Sequence, residues 1–265
     1  MAVIAIFGAG VMGETLLAGL LRSGRSAEDL LIAERRYDRA DELREKYGVD
    51  AVDNADAAAK ADVLLLVVKP QDMGDLLAEI TPSVHPGKLV VSLAAGVTTS
   101  YIESRLPEGV AVVRVMPNTP ALVDEGMAAI SPGVHCSDDD LAQAEELLSA
   151  NGRVVRVPEK QQDAVTAVSG SGPAYVFLVV ESMIEAGVHL GLPRPTATEL
   201  AVQTLVGAGK LLRETGEHPA LLRERVTSPG GTTAAALREL EAHGLRAAFL
   251  AALEAARDRS RELAG

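Results

Sequence analysis

The sequence predicts an α/β domain followed by an all-helical one. Three observations carry this. Strand-like and helix-like segments alternate up to Pro158, a glycine-rich turn sits at the first strand-to-helix junction, and strand-like runs largely vanish beyond Pro158. The chain has 265 residues, room for one large domain or two modest ones. A boundary at Pro158 divides it into residues 1–158 and 159–265.

The elements follow in order. Residues 3–7 are a short apolar run ending in glycine, and the next segment carries Leu16, Leu17, Leu20 and Leu21 on one helical stripe, closed by Gly24. Residues 30–33 read as a second strand and 39–47 as a polar helix ending at Gly48. Residues 63–68 are apolar on both faces, as a strand buried in a parallel sheet must be. Runs 89–93, 110–115, 127–130 and 154–157 read as further strands, with a helix at 139–150. This pattern predicts a parallel sheet covered by helices on both faces. Beyond Pro158, Ala- and Leu-rich helices span 174–190, 195–214, 232–243 and 245–263, punctuated by Gly191, Gly216 and Gly244. So many apolar helix faces in so short a segment are expected to be buried in part against a second subunit.

Composition narrows the functions. The formal net charge of −12 repels phosphate backbones and argues against nucleic acid as a partner. The single cysteine, Cys136, permits no intramolecular disulfide and fits a reducing cytoplasm. The chain enters its first strand without a basic leader, so no signal peptide is expected, and no uninterrupted apolar run approaches the roughly 20 residues of a membrane span. Aromatic residues make up only 3% of the chain, so the core must be built from Ala, Val, Leu and Ile.

Gly8-Ala9-Gly10-Val11-Met12-Gly13 is a GxGxxG placed between a strand and a helix. Gly8 permits the tight turn, Gly10 lets backbone approach a pyrophosphate, and Gly13 lets the helix pack on the strand. In that context the motif points to a Rossmann dinucleotide-binding domain. Glu34 lies about 20 residues further on, where an acid holds the ribose 2′-hydroxyl and favours NAD. Arg35 and Arg36 follow it and suit a 2′-phosphate. Two cations against one acid favour NADPH, with NADH open as the alternative.

In such a sheet ligands lie beyond the carboxyl ends of the strands. Lys69 and Pro70 leave one strand, Ala94-Ala95-Gly96-Val97 the next, and Met116-Pro117-Asn118-Thr119-Pro120 the one after. Each can be simple loop chemistry, but three such loops on one edge describe a cleft. In the helical part, Ser169-Gly170-Ser171-Gly172-Pro173 precedes a long apolar helix. Thr227-Ser228-Pro229-Gly230-Gly231-Thr232-Thr233 runs into another, and offers backbone N–H groups and hydroxyls to a carboxylate or phosphate. No residues stand at metal-ligand spacing and no Ser-His-Asp set can be picked out, so no metal is expected and the chemistry must run on the cofactor.

The GAGVMG, VVKPQ, SLAAG, MPNTPALV, AVSGSGPAYVF and VTSPGGTTAAAL segments, in this order, resemble pyrroline-5-carboxylate reductases over nearly the whole chain. The resemblance implies an N-terminal Rossmann NAD(P)-binding domain at 1–158 and an all-α dimerisation and substrate domain at 159–265. It implies reduction of the C=N of 1-pyrroline-5-carboxylate to L-proline, the last step of proline biosynthesis, by a cytoplasmic homo-oligomer, a dimer that can assemble into a decamer. The cofactor positions it implies are Gly8, Ala9, Gly10, Val11, Met12 and Gly13, then Arg35 with the neighbouring Arg36, then Asn54, Val68, Lys69, Pro70, Ala95 and Gly96. The substrate carboxylate falls to Ser228, Gly231, Thr232 and Thr233, with Glu159 and Thr166 lining the pocket. Thr166 or a water is the candidate proton donor to the imine nitrogen, unless the imine arrives already protonated. Arg225 departs from relatives that carry Asn near the cofactor. The rival readings are a β-hydroxyacid dehydrogenase using Lys210 as its acid, and a nucleotide-binding protein without chemistry.

Overall fold

The computed structural model describes residues 2–264. Eight strands form one sheet: β1 Ile4–Phe7, β2 Leu30–Ala33, β3 Asp50–Ala51, β4 Val63–Leu66, β5 Leu89–Ser92, β6 Ala111–Met116, β7 Gly126–Pro132 and β8 Gly152–Arg156, in the order β3-β2-β1-β4-β5-β6-β7-β8. Successive helices are α1 Val11–Arg22, α2 Tyr37–Tyr47, α3 Asn54–Lys60, α4 Met73–Ile80, α5 Thr99–Glu103, α6 Asp138–Ser149 and α7 Gln162–Val165. Side chains alternate across the strands. Ile4, Ile6, Leu30, Ile32, Val63, Leu65 and Val91 face Leu16, Leu17 and Leu20 of α1, Leu43 of α2 and Leu147 of α6. Ala5, Phe7, Leu31, Leu64, Leu66 and Val90 face Ala57 and Ala58 of α3 and Met73, Leu76, Leu77 and Ile80 of α4. The period of two divides one sheet between two helical layers.

The order of strands reverses between β1 and β4, and this positions the site. Phe7 pairs with Ala33 on one side and Leu66 on the other, Leu66 with Ser92, and Ser92 with Arg114. The carboxyl ends of five strands therefore share one edge, open at the switch point where an α/β sheet receives its ligand.

One pair departs from the expected parallel sheet: β7 runs antiparallel to β6. The connection from Met116 to Gly126 holds only a short 3-10 turn, Thr119–Val123. A parallel crossover needs about a dozen residues or more, so the chain turns back instead. The longer passage through α6 restores a parallel pair between β7 and β8.

Beyond the sheet come a π-helical turn at Thr166–Gly170 and helices α8 Gly172–His189, α9 Arg194–Thr215, α10 Pro219–Arg225, α11 Thr232–Ala242 and α12 Leu245–Ala264. Two compact units result. One runs through Ser171 and takes in the residues from Ala256 on; the other is Gly172–Ala255. The first extends past Pro158 because Gln162, buried, donates to Ala129 O at 3.2 Å and Ser131 Oγ at 2.8 Å on β7. Ser260 of α12 closes on Asp163 at 2.8 Å. In the second unit large apolar side chains stay exposed, among them Phe177, Leu178, Leu200 and Leu250.

Helix α1, which starts at the glycine loop, is anchored from the far edge of the sheet. Asn151 Nδ2 donates to Thr15 O at 2.9 Å, and its amide lies so close that a Cβ on Gly19 would sit 2.3 Å from Asn151 Nδ2. Gly19→Ala is expected to expel the Asn151 amide and destabilise the fold by about 1–3 kcal/mol, read as a lowered urea midpoint at unchanged slope.

Candidate active site

The glycine loop is built by close approach. Gly8 has φ +90°, and a Cβ there would lie 2.9 Å from Val67 O. Gly8 N donates to Ala33 O at 2.9 Å, sewing the turn to β2. A Cβ on Gly13 would lie 2.2 Å from Gly8 O, so only glycine lets α1 start this near β1. A Cβ on Gly10 would meet nothing within 4 Å, so the space beside it is open. Gly10 caps α1 without a side-chain bond, and the N–H groups of the first turn, from Val11 and Met12 on, have no intrahelical partner. An open space above unpaired N–H groups at a helix start fits a pyrophosphate.

One cavity opens at this loop and a second adjoins it. The first, about 720 Å³, is lined by Gly8, Gly10, Arg35, Arg36, Asn54, Val68 and Lys69 among others. The second, about 380 Å³, shares Arg35 and Asn54 and adds Tyr37 and Arg44. Arg35 is exposed and has no ion-pair partner among the described residues. Asn54 opens α3 and is held by Glu79 at 2.8 Å. Lys69 precedes the short helical turn Pro70–Asp72, whose first position Pro70 suits. Ala95 and Gly96 follow β5 on the same edge, Ala95 exposed.

Charged side chains fix the loop from behind. Ala9 N donates to Glu34 Oε2 at 3.0 Å, and Arg39 Nε donates to Ala9 O at 3.1 Å. Arg39 also pairs with Glu14 of α1, which accepts from Lys46 Nζ at 2.8 Å and Tyr47 Oη at 2.9 Å. The Lys46 ammonium, with Arg39 and Tyr47, holds the Glu14 carboxyl down at about 2 against an ordinary value of 4.5. Neither Glu14 nor Arg39 stood out in the sequence. Their signal, an acid in the first turn of α1 opposite a basic residue on α2, is common on helix surfaces.

The loops further along the edge are joined to the segment after Pro158. Both oxygens of Glu159 are engaged: Oε1 accepts from Thr99 N at 2.8 Å and Arg114 Nη1 at 3.2 Å, Oε2 from Thr99 Oγ1 at 2.7 Å. Asn118 Oδ1 accepts from Met127 N at 2.8 Å, and its Nδ2 donates to Ser169 O and Oγ at 3.3 Å. Ser169 belongs to the π-helical turn Thr166–Gly170, an irregularity frequent at functional sites and invisible to hydrophobic periodicity. Thr166 opens it, its hydroxyl donating to Gln162 O at 2.9 Å. The structure thus brings Asn118 and Thr166 to one turn.

In the second unit, α11 begins at Gly231, which has no side-chain cap. The first-turn N–H groups from Thr232 and Thr233 lack intrahelical partners, and among the described residues the hydroxyls of Ser228, Thr232 and Thr233 make no hydrogen bond. This is more donor capacity than a cap uses. Arg225 is bound to Glu217 at 2.7 Å, and Lys210 is exposed beside Glu214 at 3.7 Å. Among the described residues no three of His, Cys, Asp and Glu converge to hold a metal ion.

Comparison with known proteins decides the family. Residues 159–263 match the pyrroline-5-carboxylate reductase dimerisation model, and residues 3–96 match that of coenzyme F420-dependent NADP oxidoreductases. A pyrroline-5-carboxylate reductase of Corynebacterium melassecola is 46% identical over 267 residues, covering 99% of each chain. The chain belongs to the pyrroline-5-carboxylate reductase family. A solved pyrroline-5-carboxylate reductase from Coxiella burnetii superposes with a TM-score of 0.95 at 39% identity, covering 99% of this chain and 98% of that one. A Plasmodium falciparum pyrroline carboxylate reductase with NADP bound gives 0.88 at 29% identity, covering 100% and 98%. The reductase chemistry expected from the sequence is that of the pyrroline-5-carboxylate reductase family, and the expected Rossmann and helical parts are its architecture.

Two outcomes follow from this geometry. Gly13→Ala is expected to weaken NADPH at least about tenfold by calorimetry, because the loop must shift to clear Gly8 O. Unchanged binding would place the phosphates elsewhere. Glu14, with its carboxyl lowered in the fold, stabilises fully above pH 4.5, and that stabilisation is lost as pH falls from 4.5 towards about 2. Urea midpoints from pH 3 to 6 are expected to fall more steeply with acidification in the native chain than in Glu14→Gln.

Proposed function

We propose that the chain reduces 1-pyrroline-5-carboxylate to L-proline with NADPH in preference to NADH, with its phosphates on the loop 8–13. The observation that carries this is that each of the two units holds an open, anion-receiving helix start. One stands at the switch point of the sheet, and the other, at α11, has free hydroxyls around it. When bound, NADPH supplies a hydride to the C=N carbon. The N–H groups of α11 and the hydroxyls of Ser228, Thr232 and Thr233 take the substrate carboxylate, and Gly231 leaves it room. Holding the reactants in line supplies much of the acceleration.

Thr166 is the residue proposed at the imine nitrogen. Its hydrogen is committed to Gln162 O, so what it has left to offer is a lone pair, which can accept an N–H. This suits an imine already protonated from water, whose carbon is the better hydride acceptor. Glu159 borders the same site by holding Thr99 and Arg114. On the cofactor side Arg35 and Arg36 receive the 2′-phosphate, Asn54 the adenosine end, and Val68, Lys69, Pro70, Ala95 and Gly96 the nicotinamide half.

The working form is proposed to be a cytoplasmic homodimer, a unit from which a decamer can be built. Residues Glu159–His189 are long and apolar enough, by length and composition, to cross a membrane, their apolar 18-residue window having a mean hydropathy of 1.3 and only 6% of it buried. A second copy, rather than lipid, is the proposed cover for Phe177, Leu178 and Met183. The family match over residues 159–263, described as a dimerisation region, supports this.

Oxidation of NADPH followed at 340 nm with pyrroline-5-carboxylate tests the reaction, with NADH, the six-membered imine and 3-hydroxyisobutyrate plus NAD(P)+ in parallel. Turnover of the five-membered imine is expected; turnover of the hydroxyacid alone would overturn the assignment. Thr233→Ala is expected to raise KM for the imine about tenfold and leave that for NADPH within about twofold, the loss of one hydrogen bond to a charged group. Equal effects on both would remove α11 from the substrate site.

A further inference from the structure

The acid at the end of the second strand of a dinucleotide-binding fold ordinarily accepts from the ribose 2′-hydroxyl and disfavours a 2′-phosphate. Glu34 occupies that position and lines both cavities, yet its carboxylate is already engaged by backbone. Its side chain is only 10% exposed, and its two oxygens are engaged by Ala9 N at 3.0 Å and Arg36 N at 3.1 Å. Ala9 is also gripped from its other side, where Arg39 Nε donates to its carbonyl at 3.1 Å. The Ala9 peptide is therefore held by an anion at its N–H and a cation at its C=O, and Arg39 continues to Glu14 on α1. Charge near the loop is balanced locally. Arg35 and Arg36 are both exposed on the cavity wall, but Arg36 is paired with Glu34 at 3.4 Å, while Arg35 has no ion-pair partner among the described residues.

We infer that Glu34 is a positioning residue: with Arg39 it clamps the Ala9 peptide of the phosphate loop, and discrimination between the two nicotinamide dinucleotides rests on Arg35. The inference depends on the loop 8–13 being the cofactor's phosphate site. A clamp of this kind serves both cofactors alike, because they share the pyrophosphate. The exposed guanidinium of Arg35 serves only the one with a 2′-phosphate, through bidentate contacts that a hydroxyl cannot return.

The test is direct binding of NADPH and NADH by calorimetry to the full chain and to Glu34→Gln, Glu34→Ala and Arg35→Met. Glutamine keeps an oxygen for Ala9 N–H while deleting the charge. Glu34→Gln is expected to bind both cofactors within about threefold of the native chain, with their ratio unchanged. Glu34→Ala is expected to weaken both by a common factor of about ten or more. Arg35→Met is expected to weaken NADPH at least about tenfold and leave NADH within about twofold. Tighter NADPH in Glu34→Gln, or loss of NADH alone in either Glu34 variant, would make Glu34 a ribose acceptor and overturn the clamp. Should Glu34→Ala fail to fold, Glu34→Gln still separates the two, since it keeps an oxygen for Ala9 N–H without the charge. Failure of the native chain to bind either cofactor would instead remove the phosphate-site reading beneath the inference.

Discussion

The close approach of α1 to β1 is the constraint on which the site depends. Gly13 meets Gly8 O and Gly8 meets Val67 O, each at a distance no side chain tolerates. This places the start of α1 over the switch point between β1 and β4, with its amides facing outward. Everything else at this edge works around that fixed point. The loops after β4 and β5 leave at matching register because Phe7, Leu66 and Ser92 are paired in sequence across the sheet. An anion site of this kind needs no formal positive charge, which is how a chain with a net charge of −12 accommodates a phosphate-bearing ligand.

The charged and amide side chains around the site act mostly on backbone. Glu34 and Arg39 hold Ala9, Glu159 holds Thr99, and Asn118 holds Met127 and Ser169. Such bonds to charged side chains are worth more than neutral ones and leave less freedom to a loop that must present amides accurately. Arg114 shows the same economy: it is buried in β6 and tolerable there because Glu159 meets it at 3.2 Å. A reaction whose bond changes occur on the cofactor asks this of the protein, geometry before acid–base strength.

The parts legible in the sequence are those set by local pattern. The strands around Ile6, Leu65 and Val91 show as apolar runs because both faces of the sheet are covered. The glycine loop shows because two close approaches, at Gly8 and Gly13, demand glycine at fixed spacing, and Gly10 between them leaves open space. The reversed β7 was readable in principle from the short passage between Met116 and Gly126, but length alone competes poorly with a strong βαβ rhythm. The direction of Glu34 was not readable at all. Whether a carboxylate faces ribose or turns to a peptide N–H depends on Arg39 and Arg36 around it, and those contacts exist only once α2 is packed. The π-helical turn at Thr166 is hidden for a similar reason, since Met116 and Asn118 from another loop shape it.

The helical unit carries the same logic to quaternary structure. Helix α8 buries only Gly172 and α9 only Ala197 and Ala201, small residues where helices approach closely, while their large apolar side chains remain outside. Burial of a Leu or Phe is worth roughly 1.5–3 kcal/mol, so the faces bearing Phe177, Leu178 and Leu200 forgo that stabilisation for as long as they meet water. The anion-receiving start of α11 lies in this same unit, so its rigidity depends on how firmly these helices are held. Assembly and substrate binding are in that sense one problem under the proposed function: the surface proposed to meet a second copy is the scaffold of the loop proposed to receive the carboxylate.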